Sequence, residues 1–133
     1  MSGMRKIFLQ CRECKKEYDP TFKYICDECF GPLDVHYNFP PITKDIFTNR
    51  EQTYWRYFEL LPIIDKSNIV SINAGMTPLV RAEKLGKKIG LSNLYIKNDS
   101  VNPTFSFKDR PAGVAISKAK EFGLSSVGCA STG

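Results

Sequence analysis

The amino-acid sequence predicts an α/β protein that begins with a small metal-binding segment. Four of its five cysteines form two C-x2-C pairs within the first 30 residues, which is typical of a thiolate metal site. Further along, short apolar stretches alternate with a helical pattern, which favours a strand-helix-strand unit. The chain has 133 residues, of which 42% are hydrophobic and 25% are charged. This composition indicates a folded protein rather than a disordered one.

The paired cysteines predict a tetrahedral metal site. They are Cys11, Cys14, Cys26 and Cys29, with the spacing C-x2-C-x11-C-x2-C. Soft thiolate ligands suit zinc, and four of them leave no open position for water or substrate. We therefore predict structural zinc. Iron on the same four sulfurs, two disulfides and free thiols are the alternatives.

The first 40 residues are a separate unit by charge and by boundary. They carry six basic and six acidic side chains, although the whole chain has a formal charge of +5. Four thiolates on a divalent cation add about two negative charges, which disfavours phosphate binding and hence a nucleic-acid partner. Pro40-Pro41 stiffens the chain at this point. We predict a zinc-ribbon-like segment at residues 1–40 and a second part at residues 41–133.

Targeting and membrane signals are not expected. No stretch approaches 18 uninterrupted apolar residues, and the N-terminus lacks the apolar run of a signal peptide. We expect a cytoplasmic protein with no membrane partner.

The second part begins with a predicted helix and a short strand. A helix is expected over residues 48–61, with Trp55 and Phe58 on its buried face and Pro62 at its end. Residues 74–79 predict a turn followed by an extended step. A short helix over residues 81–89 should end at Gly90, and residues 93–97 should form a strand.

A longer helix follows the predicted loop 98–107. Its apolar residues recur at helical spacing, Asp109 can cap its start, Pro111 lies in its first turn and Gly123 ends it. A final strand is expected at residues 126–130. Because a strand-helix-strand crossover joins parallel neighbours, this order predicts an open parallel sheet.

Lys108 lies where an open α/β sheet places its ligands, just before the longer helix. A cation beside the positive end of a helix is unfavourable by up to about 1 kcal/mol. Local rules of this kind are broken most often at functional sites. By spacing alone, an exposed lysine at a helix start is also commonplace.

Four stretches resemble one enzyme family. N-P-T-F-S-F-K-D-R at residues 102–110 resembles the cofactor-lysine motif of threonine synthases, which are fold-type II pyridoxal-phosphate enzymes. A-G-M-T-P-L at residues 74–79 is similar to the family's G-x-T-P-L element. Y-W-R-Y-F-E-L-L-P at residues 54–62 resembles its W-R-Y helix, and C-A-S-T-G at residues 129–133 resembles the start of its S-T-G-N loop. The cysteine pairs resemble the zinc-ribbon-like extension of many prokaryotic members.

The resemblance implies a lyase of threonine biosynthesis. Lys108 would form the Schiff base with pyridoxal phosphate and then move protons, while O-phosphohomoserine and water give threonine and phosphate. Ser131 and Thr132 would begin the loop that holds the substrate carboxylate. Lys97 and Asn98 would face the substrate phosphate, although a structural role is the simpler expectation. A homo-oligomer is left open.

The chain also departs from the family. Met76 stands where the family often has glycine, and the sequence stops at Gly133, before the asparagine and the phosphate-binding loop expected next. We therefore expect an N-terminal fragment of the fold-type II open sheet that is inactive alone. The alternatives are a threonine dehydratase or cysteate synthase-like enzyme on the same scaffold, and a zinc-ribbon binding module.

Overall fold

A computed structural model describes residues 6–39 and 41–130. Residues 6–39, the cysteine segment, form a three-stranded antiparallel sheet in the order β2-β1-β3. The strands are β1 (Lys6–Cys11), β2 (Glu17–Tyr18) and β3 (Leu33–Asn38).

Alternation along β1 positions the cysteine cluster. Ile7, Leu9 and Cys11 are buried, and the residues between them are more exposed, because successive side chains of a strand point to opposite faces. Leu9 pairs with Tyr18 on β2 and with Val35 on β3. The sheet therefore places Cys11, the last residue of its central strand, on a buried face.

The second region, residues 41–130, is called the lysine segment. It starts with a short helix, α1 (Asp45–Thr48), and a 3-10 helix (Tyr54–Leu60). The single helix predicted over residues 48–61 is wrong. Tyr57 departs from helical geometry with φ −96° and ψ 27°.

An arginine explains why one continuous helix does not form. The Arg50 guanidinium donates to the carbonyl oxygen of Arg56 at 2.6 Å and to the Glu59 carboxylate at 2.6 and 2.7 Å. In one continuous helix, residues 50 and 59 would lie about 13 Å apart along the axis, so their ion pair requires the chain to bend between them.

Strand β4 (Leu79–Arg81) and strand β5 (Tyr95–Lys97) form an antiparallel pair around helix α2 (Glu83–Ile89). The predicted short helix and strand are confirmed, within two residues at each start. Gly90 ends α2 in the left-handed conformation with φ 76°, as a helix-terminating glycine does.

The longest helix is α3 (Asp109–Glu121), and it confirms the helix predicted there. Two further 3-10 helices are Lys66–Asn68 and Asp99–Val101. The strand predicted at residues 126–130, and the parallel sheet that it would complete, are not formed within the described residues. Residues 126–130 are exposed, and a strand requires a neighbouring backbone to pair with.

The core of the lysine segment lies between the 3-10 helix (Tyr54–Leu60) and α3. Its buried members are Tyr54, Trp55, Phe58, Ile63 and Ala74. The predicted burial of Trp55 and Phe58 is confirmed. Together the two segments form a mixed α/β structure with small sheets, in agreement with the predicted fold class.

Membrane-spanning helices are not found in the part of the chain that the structure describes. Its helices lack the length and apolar character that a bilayer requires.

Candidate functional site

The four paired cysteines converge on one point. The Sγ atoms of Cys11, Cys14, Cys26 and Cys29 all lie within 4.8 Å of one another. The Cys11–Cys29 and Cys14–Cys26 sulfur distances are 3.4 and 3.5 Å, so neither pair is a disulfide, whose bond is about 2.0 Å. Zinc–sulfur bonds of about 2.3 Å in a tetrahedron place sulfur atoms about 3.8 Å apart. The donor set and its spacing therefore fit a zinc ion.

Each cysteine pair lies on a tight backbone turn. Lys15 N–H donates to the carbonyl oxygen of Cys11 at 3.2 Å, and Phe30 N–H donates to that of Cys26 at 3.1 Å. Both Lys15 and Phe30 adopt the left-handed region, with φ 64° and 57°. The two turns thus have the same geometry, which brings both sulfurs of each pair to the same side.

The sulfur of Cys26 lies close to hydrogen-bond donors of Tyr18 and Glu28. Cys26 is fully buried, and its Sγ lies 3.0 Å from the hydroxyl of Tyr18 and 3.4 Å from the N–H of Glu28. The Tyr18 hydrogen bond lowers the pKa of Cys26 to about 6, although burial acts in the opposite direction. The Tyr18 hydrogen bond therefore favours the thiolate form of Cys26, which is the form that binds a metal.

The candidate cofactor lysine is exposed. Lys108 occupies the N-cap position of α3, and its Nζ lies 4.4 Å from the centroid of the Phe107 ring. Its backbone N–H donates to the Ser106 hydroxyl at 3.2 Å. Among the described residues, no carboxylate forms an ion pair with Lys108. A primary amine in this state is accessible to an aldehyde, which fits pyridoxal phosphate.

Asp109 closes the loop that carries Lys108. Its carboxylate accepts the backbone N–H of Thr104 at 2.8 Å and the Thr104 hydroxyl at 2.5 Å. The prediction that Asp109 caps α3 is wrong, because Asp109 is the first helical residue and its side chain reaches back to the loop. Its buried carboxylate holds the chain on both sides of Lys108 together.

Asn102 joins the lysine loop to the turn at residues 74–79. It is buried, its Oδ1 accepts the N–H of Gly75 at 3.0 Å, and its Nδ2 donates to the carbonyl oxygen of Asp99 at 2.9 Å. Gly75 has φ 83°, and an added Cβ would lie 2.7 Å from the Cβ of Tyr54. Glycine is therefore required there for conformation and for close approach.

A second link between the same stretches is ionic. Arg110 donates to Asp99 at 2.7 Å and to the Thr77 hydroxyl at 3.1 Å, while Thr77 donates to Asp99 at 2.6 Å. The Arg110 and Thr77 hydrogen bonds hold the pKa of Asp99 below its ordinary value. Three of the four motif stretches, at residues 54–62, 74–79 and 102–110, thus meet in space.

Lys97 and Asn98 have structural contacts. Lys97 Nζ donates to the carbonyl oxygen of Thr77. The Asn98 side chain accepts from the N–H of Ser100 at 3.3 Å and from its hydroxyl at 2.6 Å, which caps the turn that follows. Their predicted contact with the substrate phosphate stays a prediction.

Ser131 and Thr132 lie outside the described residues. Their role in holding the substrate carboxylate therefore also stays a prediction.

Sequence reasoning missed how the side chains around the motifs connect. Asn102 lies inside a motif, but its spacing does not show that it crosses to Gly75. Tyr18 carried no signal beyond its place between two cysteine pairs. Met76 did carry a sequence signal, because the threonine synthases that the chain resembles often have glycine at this position. Met76 has φ 49°, in the left-handed region that favours glycine.

Comparisons with known proteins support the family resemblance of the four motif stretches. The profile of the family described as "Pyridoxal-phosphate dependent enzyme" matches residues 70–133. A threonine synthase of Methanocaldococcus jannaschii is 44% identical over 129 residues, which cover 93% of this chain and 32% of that protein. The threonine synthase of Methanosarcina acetivorans is 41% identical over 94% of this chain and 31% of its own length.

A third relative is the threonine synthase of Synechocystis, which is 47% identical over 62% of this chain and 21% of its own length. The chain thus spans about a third of the length of the first two relatives. Both of those alignments run through the cysteine segment as well as the lysine loop, because they cover more than nine-tenths of the chain. The family profile and these similarities confirm the resemblance, and the chain belongs to the family of pyridoxal-phosphate-dependent enzymes.

Proposed function

We propose that this chain is the lysine-bearing part of a threonine synthase, which converts O-phospho-L-homoserine and water to L-threonine and phosphate. The observation that carries the proposal is the meeting of three motif stretches beside the loop that carries one exposed amine. Asn102, Asp99 and Arg110 connect the lysine loop to the turn at residues 74–79. The similarity to threonine synthases supports this reaction over others of the same family.

Lys108 is the residue to which we assign the covalent contact with the cofactor. When bound, pyridoxal phosphate supplies an electron sink for negative charge on the carbons next to the substrate amine. The Nζ of Lys108, once released by the incoming substrate amine, would move protons as general base and general acid. The centroid of the neighbouring Phe107 ring lies 4.4 Å from the Nζ of this amine.

The residues around Lys108 have positioning roles in this proposal. Asp109 fixes the loop through Thr104, and Asn102 fixes the loop against Gly75. A misplacement of about 1 Å in a catalytic group can lower the rate about 100-fold. These buried polar contacts therefore fix the backbone from which the Lys108 side chain extends, without touching substrate.

The remaining site residues follow from the same proposal. Ser131 and Thr132 would hold the substrate carboxylate, and Lys97 and Asn98 would lie beside the substrate phosphate. Residues 1–40 would form a zinc-ribbon-like domain, and residues 41–133 would be part of the catalytic domains. The enzyme would work in the cytoplasm, and self-association into a homo-oligomer is compatible with this role.

Zinc has a structural role in the proposal. Four thiolates complete a tetrahedral shell, so the metal would organise the cysteine segment and take no part in the reaction. The segment buries few apolar side chains, namely Ile7 and Leu9 besides two of the cysteines. A metal would supply stability that so small a core does not.

The test uses the complete gene product that contains this sequence. Its absorbance spectrum should show a visible band, and borohydride followed by peptide mapping should fix the cofactor on Lys108. Lys108→Ala should remove the band and lower threonine formation by about 1,000-fold or more. Lys84→Ala, at an exposed position on α2, is the matched control and should keep both.

Other outcomes would change the assignment. A coloured protein that deaminates threonine, or that joins sulfite to a phosphorylated amino acid, would retain the cofactor lysine and overturn the substrate. A colourless protein that binds zinc would favour a binding module. The 133-residue chain alone should form no threonine, and activity of that chain would contradict our view that the reaction needs more of the protein.

A further inference from the structure

The hydroxyl of Tyr18 contacts the most buried part of the cysteine cluster. Its oxygen lies 3.0 Å from Cys26 Sγ. Among the described residues, no other side-chain hydroxyl lies within hydrogen-bond distance of a cysteine of the cluster. The contact is thus specific to one ligand out of four.

The hydrogen bond has a defined direction. The backbone N–H of Asp27 donates to the Tyr18 oxygen at 3.1 Å. A phenol has one proton to give, and with its oxygen accepting from Asp27 that proton is available to the sulfur. Tyr18 therefore donates to Cys26, whose metal-bound form would be an anionic acceptor.

The ring of Tyr18 is held in place by its neighbours. Tyr18 pairs with Leu9 in the sheet. The ammonium groups of Lys16 and Lys23 lie 5.5 and 5.2 Å from the ring centroid, within the range of a cation–π interaction. The hydroxyl is consequently fixed by contacts that do not depend on the sulfur.

We propose that Tyr18 is a positioning residue of the metal site, whose hydroxyl orients Cys26 and offsets part of the negative charge of the four thiolates. This rests on the zinc site of the proposed function. Four thiolates around one divalent cation leave an excess of about two negative charges. Partners of metal ligands hold them in place, and losing one such partner typically costs 10–100-fold in metal affinity.

Tyr18→Phe tests the hydroxyl alone, because it keeps the ring and its contacts with Lys16 and Lys23. Tyr24→Phe is the matched control, since Tyr24 lies in the same segment and is 72% exposed. The zinc-loaded chain is mixed with an excess of a coloured chelator, and metal transfer is followed by absorbance. Tyr18→Phe should release zinc about 10-fold faster than the unaltered chain, and Tyr24→Phe should match the unaltered chain.

Cobalt substitution distinguishes a direct effect of Tyr18 on the ligand sulfur from a general loss of folded structure. In the cobalt-loaded chain, the sulfur-to-metal charge-transfer band reports electron density on the thiolates. Without the Tyr18 hydrogen bond, Cys26 is a stronger electron donor, so the band of Tyr18→Phe should shift to longer wavelength. Circular dichroism of the same sample shows whether the sheet is intact.

Each outcome decides the proposal. Faster release together with a shifted cobalt band supports it. Unchanged release, or faster release with an unchanged band, overturns the role of Tyr18 while the metal site stands. A chain that binds neither zinc nor cobalt overturns the metal site and the role of Tyr18 together, without touching the assignment of Lys108.

Discussion

The two segments of this molecule are organised by different chemistry. The cysteine segment, residues 6–39, brings four sulfurs within 4.8 Å of one another and buries few apolar side chains. The lysine segment, residues 41–130, has a cluster of five buried residues and a set of buried polar contacts that fix the loop before α3. Metal ligation can organise the first segment, whereas packing and hydrogen bonds organise the second.

This difference makes the two segments separately measurable. Bound zinc or cobalt reports the cysteine segment. The single tryptophan, Trp55, lies in the buried cluster of the lysine segment, so its fluorescence reports that core. A change confined to one segment should alter either metal binding or Trp55 fluorescence and leave the other nearly unchanged. The segments do touch, because the rings of Phe22 and Phe122 lie 5.6 Å apart between centroids.

The largest effect is expected from removal of a metal ligand. Cys26→Ser replaces a fully buried thiolate with a poor zinc ligand. We expect zinc affinity to fall by more than about 100-fold, which exceeds the usual cost of losing a partner of a ligand, and we expect the sheet of the cysteine segment to lose order. Metal content after dialysis measures the loss. Trp55 fluorescence should change little.

Cys129→Ser is the control for that experiment. Cys129 is exposed and outside the cluster, so this variant should retain zinc as the unaltered chain does. Equal metal content in Cys26→Ser and the unaltered chain would show that the four sulfurs are not the metal site.

The second effect tests the packing of the lysine segment. In Gly113→Ala, the added Cβ would lie 2.6 Å from the Tyr54 hydroxyl, which has no hydrogen-bond partner among the described residues. Burial also raises the pKa of Tyr54 to about 12. We expect a loss of about 1–3 kcal/mol in the free energy of unfolding, measured by urea titration with Trp55 fluorescence, while zinc content stays the same.

Tyr54→Phe removes the atom with which that Cβ collides. When Gly113→Ala is combined with Tyr54→Phe, it should no longer destabilise, and it should gain up to about 1 kcal/mol because alanine favours a helix more than glycine does. Tyr54→Phe alone supplies the reference. An equal loss from Gly113→Ala with and without Tyr54→Phe would contradict the contact.

The cysteine cluster and α3 were both predictable from sequence alone. The cluster was predictable because spacing dictates which sulfurs can share a metal. Helix α3 was predictable because its apolar residues recur at helical spacing over many residues. Gly90 follows α2 and Gly123 follows α3, each with a positive φ, as the sequence predicted. The resemblance located Lys108, and the structure places it at the predicted helix start.

The failures have a common cause in specific contacts that the hydrophobic pattern of a segment does not encode. The helix predicted over residues 48–61 is interrupted because Arg50 reaches Arg56 and Glu59. Asp109 turns back to Thr104 instead of capping α3. The helix and strand propensities of individual residues carry no information on such side-chain contacts. The strand predicted at residues 126–130 likewise depends on a pairing partner that the local pattern cannot supply.

A third and smaller effect depends on pH. Glu121 on α3 accepts the N–H groups of Ile64 and Asp65 at 2.8 and 3.0 Å and pairs with Lys118. Burial would raise its pKa, but Lys118 and the two N–H groups outweigh burial and lower it. A carboxylate with a lowered folded pKa stabilises above its unfolded pKa of about 4.3, and this stabilisation is lost as pH falls through the folded pKa.

Glu121→Gln removes that charge and keeps an acceptor. We expect a loss of about 1 kcal/mol at pH 7 and a smaller loss in acid, below the folded pKa, where the unaltered carboxyl is also neutral. Urea unfolding followed by Trp55 fluorescence at several pH values measures both. Glu83→Gln, at an exposed position 3.6 Å from Arg81, is the control. A difference from the unaltered chain that stays constant with pH would contradict the role of the charge.

The smallest effect returns to the cysteine segment and asks whether its turns are strained. Phe30 has φ 57° and is 79% exposed. A side chain in the left-handed region costs about 1 kcal/mol, and glycine avoids that cost but loses more chain entropy on folding. Phe30→Gly should therefore gain about 0.5 kcal/mol, seen as roughly two-fold tighter zinc binding in a competition titration. Tyr24→Gly, exposed in the same segment but without a positive φ, should weaken binding slightly. Because the metal and the turn share one segment, weaker binding in Phe30→Gly would mean that its ring stabilises the turn more than its backbone strains it.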